Sequence, residues 1–170
     1  VACLLAALWA APAAAQPIDL TPERFSFEPD VPYDTTVASP QDALGYPIGT
    51  QFTFHAHALD YLRTLASASD RVTMETYGET YEGRTLPYLV ITHPQNHVRL
   101  SQLKRNCRRL SAPATLSETE RQQLLAEQPV FVSLSYNIHG NEPASTEAAL
   151  QTAYRLAAAR TDSTRTLLRD

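Results

Sequence analysis

The sequence predicts an α/β domain in which helices cover a sheet. Three observations carry that reading. Apolar residues recur at helical spacing in residues 52–66 and again after Pro143, β-branched and aromatic residues crowd into three short runs, and the two kinds of segment alternate along the chain. With 170 residues, 44% hydrophobic and 19% charged, the chain has the balance of one domain able to bury a core.

Residues 1–15 read as a secretory signal. Residues 1–11 are almost wholly apolar, and Ala13, Ala14 and Ala15 supply small side chains before Gln16, so cleavage is expected after Ala15. No Met or basic stretch precedes Val1, and a basic n-region is expected upstream of it. The apolar run is shorter than the roughly 20 residues that span a bilayer, so a stable membrane anchor is not expected and the protein is placed outside the cell or in the periplasm. Residues 16–51 follow as an extended arm, because Pro17, Pro22, Pro29, Pro32, Pro40 and Pro47 break any regular pattern.

The catalytic domain is expected to occupy residues 52–170. It opens with an amphipathic helix, in which Phe54, Ala58, Tyr61, Leu62 and Leu65 share one face. Residues 71–77 and 86–92 read as two strands around the turn-forming Gly78-Glu79-Thr80-Tyr81-Glu82-Gly83. Residues 97–110 and 117–127 read as surface helices, the second opened by Ser117-Glu118-Thr119-Glu120, a capping-box pattern. Val130, Val132, Leu134 and Tyr136 alternate after Pro129, which predicts an interior strand. Pro143 then starts a helix whose Leu150, Ala153, Tyr154 and Ala157 form an apolar stripe.

Charge and cysteine content exclude several functions. A net charge of -4 and a pI near 5.7 leave no basic face for a phosphate backbone, so nucleic acid is not an expected partner. With the signal removed, Cys107 is the only cysteine, and no disulfide can form within the chain. Flanked by Arg105, Arg108 and Arg109 on a polar helix, Cys107 reads as an incidental thiol.

The chemistry concentrates in Asn137-Ile138-His139-Gly140-Asn141-Glu142, between the third strand and the helix that Pro143 begins. Ligands of open α/β sheets sit beyond the carboxyl ends of strands, which is where His139 and Glu142 fall. Gly140 is expected to let the backbone turn without a Cβ clash, and Pro143 to push Glu142 out of the helical region, so that both side chains converge. Imidazole nitrogen and carboxylate oxygen are both zinc ligands, and a catalytic site takes three protein ligands and leaves a position for water. The spacing alone is weak, since a His-x-x-Glu arises by chance in about a quarter of such chains. His57 and Asp60 have similar spacing but lie inside a helix with no strand before them, and read as surface residues. His55, His93 and His97 lack a carboxylate three residues on, and read as capping or solvent-facing groups.

Two motifs add a family resemblance. The stretch Tyr77-Gly78-Glu79-Thr80-Tyr81-Glu82-Gly83-Arg84-Thr85-Leu86 resembles the Gly-x-Ser/Thr-x-Glu-Gly-Arg approach to the metal site in the M14 zinc metallocarboxypeptidases, and His139-Gly140-Asn141-Glu142 resembles the first zinc-ligand motif of bacterial members. The two occur in the family's order, across roughly residues 52–170. The resemblance implies a three-layer mixed β-sheet flanked by helices, incomplete in this chain, and one Zn²⁺ ion held by His139 and Glu142. It implies a third ligand and a general base beyond residue 170, so that the chain by itself is expected to be inactive. The expected reaction is removal of C-terminal residues from a peptide or protein by a metal-activated water. Asn141 stands where pancreatic-type members carry an arginine that binds substrate, which removes the basis for a pancreatic-like specificity. Arg84 reads as a structural ion pair at its turn. Two alternatives stay open: a zinc deacylase of the succinylglutamate desuccinylase and aspartoacylase type, and a noncatalytic peptide-binding module on the same fold.

Overall fold

A computed structural model describes residues 30–170. The signal reading and the first part of the proline-rich stretch lie outside the described residues. In chain order the elements are helices α1 (Pro40–Leu44) and α2 (His55–Ala68), strands β1 (Val72–Glu79) and β2 (Thr85–Ile91), and helices α3 (Pro94–Val98), α4 (Leu100–Leu110), α5 (Glu118–Glu127), α6 (Ala144–Ala158) and α7 (Asp162–Arg169). The chain is a mixed α/β structure, and its described sheet is the antiparallel β1–β2 hairpin. Among the described residues no helix is long and apolar enough to cross a membrane.

Helix α6 is the centre of the core. Leu150, Ala153, Tyr154 and Ala157, the stripe predicted from spacing, are all buried, and they cluster with Ala58, Tyr61 and Leu65 of α2 and with Val72 of β1. Leu89 and Ile91 of β2 close the cluster from the sheet side. The alanines let the helices approach closely, and the larger side chains fill the space between them.

The carboxyl end of α6 is tied down. A helix leaves its last carbonyls without partners, and here the backbone N–H of Asp34 donates to Ala158 O at 2.8 Å and the hydroxyl of Ser69 to Ala157 O at 3.0 Å. Arg71 Nη1 donates to Leu156 O and Ala159 O at 3.2 and 2.7 Å, placing a cation at the negative end of the helix dipole. The proline-rich stretch is thus not extended throughout. Pro40 starts α1 with Ser39 capping it, Val37 and Pro40 are buried, and Tyr33 stacks on Tyr154 with ring centroids 4.8 Å apart. The prolines prevent long regular elements, yet their apolar neighbours still gain by covering α6.

Two local readings match closely. Ser117 and Glu120 form the reciprocal capping box at α5. The hairpin forms with Tyr77 as an extra residue, since Thr76 faces Pro87 and Gly78 faces Leu86. Proline in β2 cannot donate to the ladder, and the bulge falls beside it.

The interior strand expected at residues 130–136 does not form among the described residues. Val130, Phe131, Val132 and Leu134 are exposed, and this stretch joins no strand. Its alternation fits a sheet position, but a strand needs a neighbour to bond, and the backbone bond recorded here is Val130 N–H to Asp170 O at 2.9 Å. Helix α7 was not foreseen. It is capped by Thr161 and docked by the buried Asn96, whose amide donates to Leu168 O and Arg169 O.

Two stability predictions follow from these contacts. Leu150→Ala is expected to cost about 2–5 kcal/mol, measured by urea unfolding, because it opens a cavity in the centre of the cluster. Asp34 accepts from Arg160 at 2.8 Å and from the hydroxyl and N–H of Thr36, and these bonds hold its carboxyl well below the usual range. A carboxylate with a lowered folded-state pKa stabilises above its unfolded value and loses that effect as pH falls. Asp34→Asn is therefore expected to be less stable than the parent at neutral pH, with the gap narrowing as pH drops below about 4 in unfolding curves.

Candidate metal centre

The loop before α6 holds His139 and Glu142 side by side. His139 Nδ1 lies 3.0 Å from Glu142 Oε1, with Nδ1 as the donor when the carboxylate is ionised, and the two side chains are 65% and 59% exposed. The local chain explains the placement. Glu142 N–H donates to His139 O, and Ser145 N–H to Glu142 O, so the loop winds directly into the helix. Pro143 takes helical φ and ψ of -66° and -29° and stands at the cap, where its missing donor costs nothing.

Gly140 stands in the turn closed by the bond from Glu142 N–H to His139 O, as its sequence position predicts, and Asn137 is the residue of this loop at positive φ. Asn137 has φ of 55°, whereas a Cβ on Gly140 would meet no atom within 4 Å. Asparagine tolerates the left-handed region better than other residues bearing a side chain. Its N–H donates to Ser145 Oγ at 2.7 Å and its side-chain amide to Thr146 Oγ1 at 2.9 Å. These bonds fasten the start of the metal loop to the first turn of α6.

His139 and Glu142 open onto a cleft of about 480 Å³, lined also by Asn137 and Asn141 of the same loop and by Phe52 and Thr53 from the segment before α2. Asn141 is exposed within it. A second open groove, of about 580 Å³, runs beside β1 near Arg63 and Met74 and is lined by no histidine or cysteine.

Other sequence candidates take supporting roles. His57 and Asp60 are exposed on α2, with Asp60 paired to Arg63. His93 caps α3, accepting from Gln95 N–H, while His55 and His97 place Nε2 at 2.9 Å from the carbonyls of Thr85 and Arg71. Arg84 pairs with Glu82 at 2.7 Å within the hairpin turn, where Gly83 adopts φ of 71°. Cys107 is exposed on α4.

The family model for zinc carboxypeptidases matches residues 58–170. The chain belongs to the zinc carboxypeptidase family. No curated protein and no solved structure matches the chain. Membership of this family, one of zinc metallopeptidases, supports a metallopeptidase-type function and implies zinc. The donors present fit that metal in kind, because an imidazole nitrogen and a carboxylate oxygen converge at the cleft surface. Among the described residues no third His, Cys, Asp or Glu joins them in a metal-sized cluster.

Sequence reasoning passed over Asn137, Thr53 and Glu147. Glu147 carried a readable signal, since it lies three residues before Leu150 and so places a carboxylate on the buried stripe. Asn137→Val is expected to lower stability by about 1–3 kcal/mol in urea unfolding, because a β-branched residue is strained at positive φ and cannot make the bond to Thr146. Asn137→Gly is expected to lose less, since glycine adopts that conformation freely.

Proposed function

We propose that the protein is a zinc-dependent carboxypeptidase that shortens peptides or proteins from the C-terminus. The observation that carries this reading is the convergence of His139 and Glu142 on one cleft at the head of α6, in a chain of the zinc carboxypeptidase family. His139 and Glu142 would hold one zinc ion together with a third ligand from outside residues 30–170, completing the three-ligand set of a catalytic site. Zinc supplies a bound water acidic enough to ionise near neutral pH and polarises the scissile carbonyl.

The chain's own residues act around that chemistry. Asn137 fixes the loop so that both ligands stay at the cleft surface, which spares the ordering cost at binding. Asn141 lies between the ligands and offers a neutral donor and acceptor to the peptide. The general base is expected beyond residue 170. The same reading keeps the three-layer mixed sheet as the architecture of the catalytic domain, and the signal at residues 1–15 as the route to a secreted or periplasmic location.

The test uses the full-length protein loaded with zinc. His139→Ala is expected to weaken zinc binding by more than about 100-fold, beyond the 10–100-fold cost of losing an outer hydrogen-bond partner, and to abolish release of C-terminal residues from peptides. Metal analysis after dialysis and amino-acid release measure both. Retention of tight one-to-one zinc binding by the variant would falsify the assignment, and release of acyl groups from amino acids without action on peptides would move the protein to the deacylase class.

A further inference from the structure

We propose that Phe52 contacts an apolar side chain of the peptide bound in the His139–Glu142 cleft, and that the buried carboxylate of Glu147 is the positioning residue that holds it there. The inference rests on the peptidase reading of that cleft. Phe52 is 72% exposed and lines the same cleft as His139 and Glu142, from the segment before α2. Among the described residues, apart from Pro143 it is the only large apolar side chain on the lining, and no lysine or arginine is on it. This wall offers hydrocarbon contact and no counter-charge.

The neighbouring residue shows why the ring stays in place. Thr53 is buried, its N–H donates to Glu147 Oε1 at 2.8 Å, and its hydroxyl accepts from Tyr46 at 2.9 Å. Thr53 is therefore fixed through both backbone and side chain, while the next residue toward the N-terminus projects into the cleft. Glu147 sits on the buried stripe of α6, and its Oε2 has no partner among the described residues. Burying a carboxylate is unfavourable, so an apolar residue would suit this helix face better if packing were its whole role. An ionised acceptor binds an N–H more strongly than a neutral one, and this bond joins the segment before α2 to the helix that carries the metal loop. The ring and the metal pair are thereby held to one rigid element.

The experiment uses the full-length zinc-loaded protein and competition binding of host peptides that carry either Phe or Gly at one of the last three positions. The parent is expected to prefer Phe at one position by about tenfold, the low end for an apolar contact in a pocket. Phe52→Ala should erase that preference and leave affinity for the Gly peptide within about twofold. Glu147→Leu, which suits its apolar surroundings, should erase it as well, with faster hydrogen exchange at the Thr53 amide. Glu147→Gln keeps an acceptor oxygen and should retain the preference. Equal losses for both peptides, or an unchanged preference in Phe52→Ala, would overturn the proposal, and so would a parent with no preference for Phe. A parent that prefers Phe through Phe52 without hydrolysing any peptide would support this wall and overturn the peptidase reading instead.

Discussion

The buried seam between α6 and α2 sets the position of the helix that carries the candidate metal loop. Leu150, Ala153, Tyr154 and Ala157 give α6 a face that water excludes, and Ala58, Tyr61 and Leu65 give α2 the matching one. Burying such a face is the main favourable term here, since the described residues hold no disulfide and Cys107 is free. Small residues in the seam bring the two axes close, which leaves little freedom for one helix to slide on the other. The carbonyl end of α6 is then closed by Ser69, Arg71 and the Asp34 amide. Its other end has only one place to be.

That other end leads into the candidate metal site. His139 and Glu142 lie in a loop and remain more than half exposed, a poor basis for rigidity in isolation. The structure compensates by bonding the loop to the helix head through Asn137, in a backbone conformation that few residues accept. Glu147 does the equivalent for the segment before α2. Both devices place polar or strained groups where packing alone would choose otherwise, as functional sites commonly do. The candidate ligands can stay accessible because their backbone is not free.

Features governed by nearby residues were legible in the sequence. The α6 stripe, the α5 capping box and the hairpin turn each depend on spacings of a few positions, and each stands where those spacings put it. Features that need a distant partner were not. The alternation of Val130, Val132, Leu134 and Tyr136 is a sheet pattern, but no periodicity reveals whether a neighbouring strand is at hand. Gly140 stands in the turn it signals, while Asn137 was passed over because asparagine at positive φ is recognised only from its bonds to Ser145 and Thr146. The proline-rich stretch hid its docking on α6 for a similar reason, since Tyr33 and Val37 meet partners far along the chain. At the site, the pair His139 and Glu142 was readable as residue types and spacing, and the lining from the segment before α2 was not, because Phe52 and Thr53 lie about 90 residues away in sequence and join it only by folding.

Zinc coordination at the head of α6 is the central claim, and anomalous diffraction at the zinc edge from crystals of the full-length zinc-loaded protein addresses it most directly. The account predicts a single strong peak bonded to His139 Nδ1 and to a Glu142 carboxylate oxygen at about 2.0–2.2 Å, with Asn137 still joined to Thr146. A peak centred on other residues, with His139 and Glu142 left paired to each other, would contradict it.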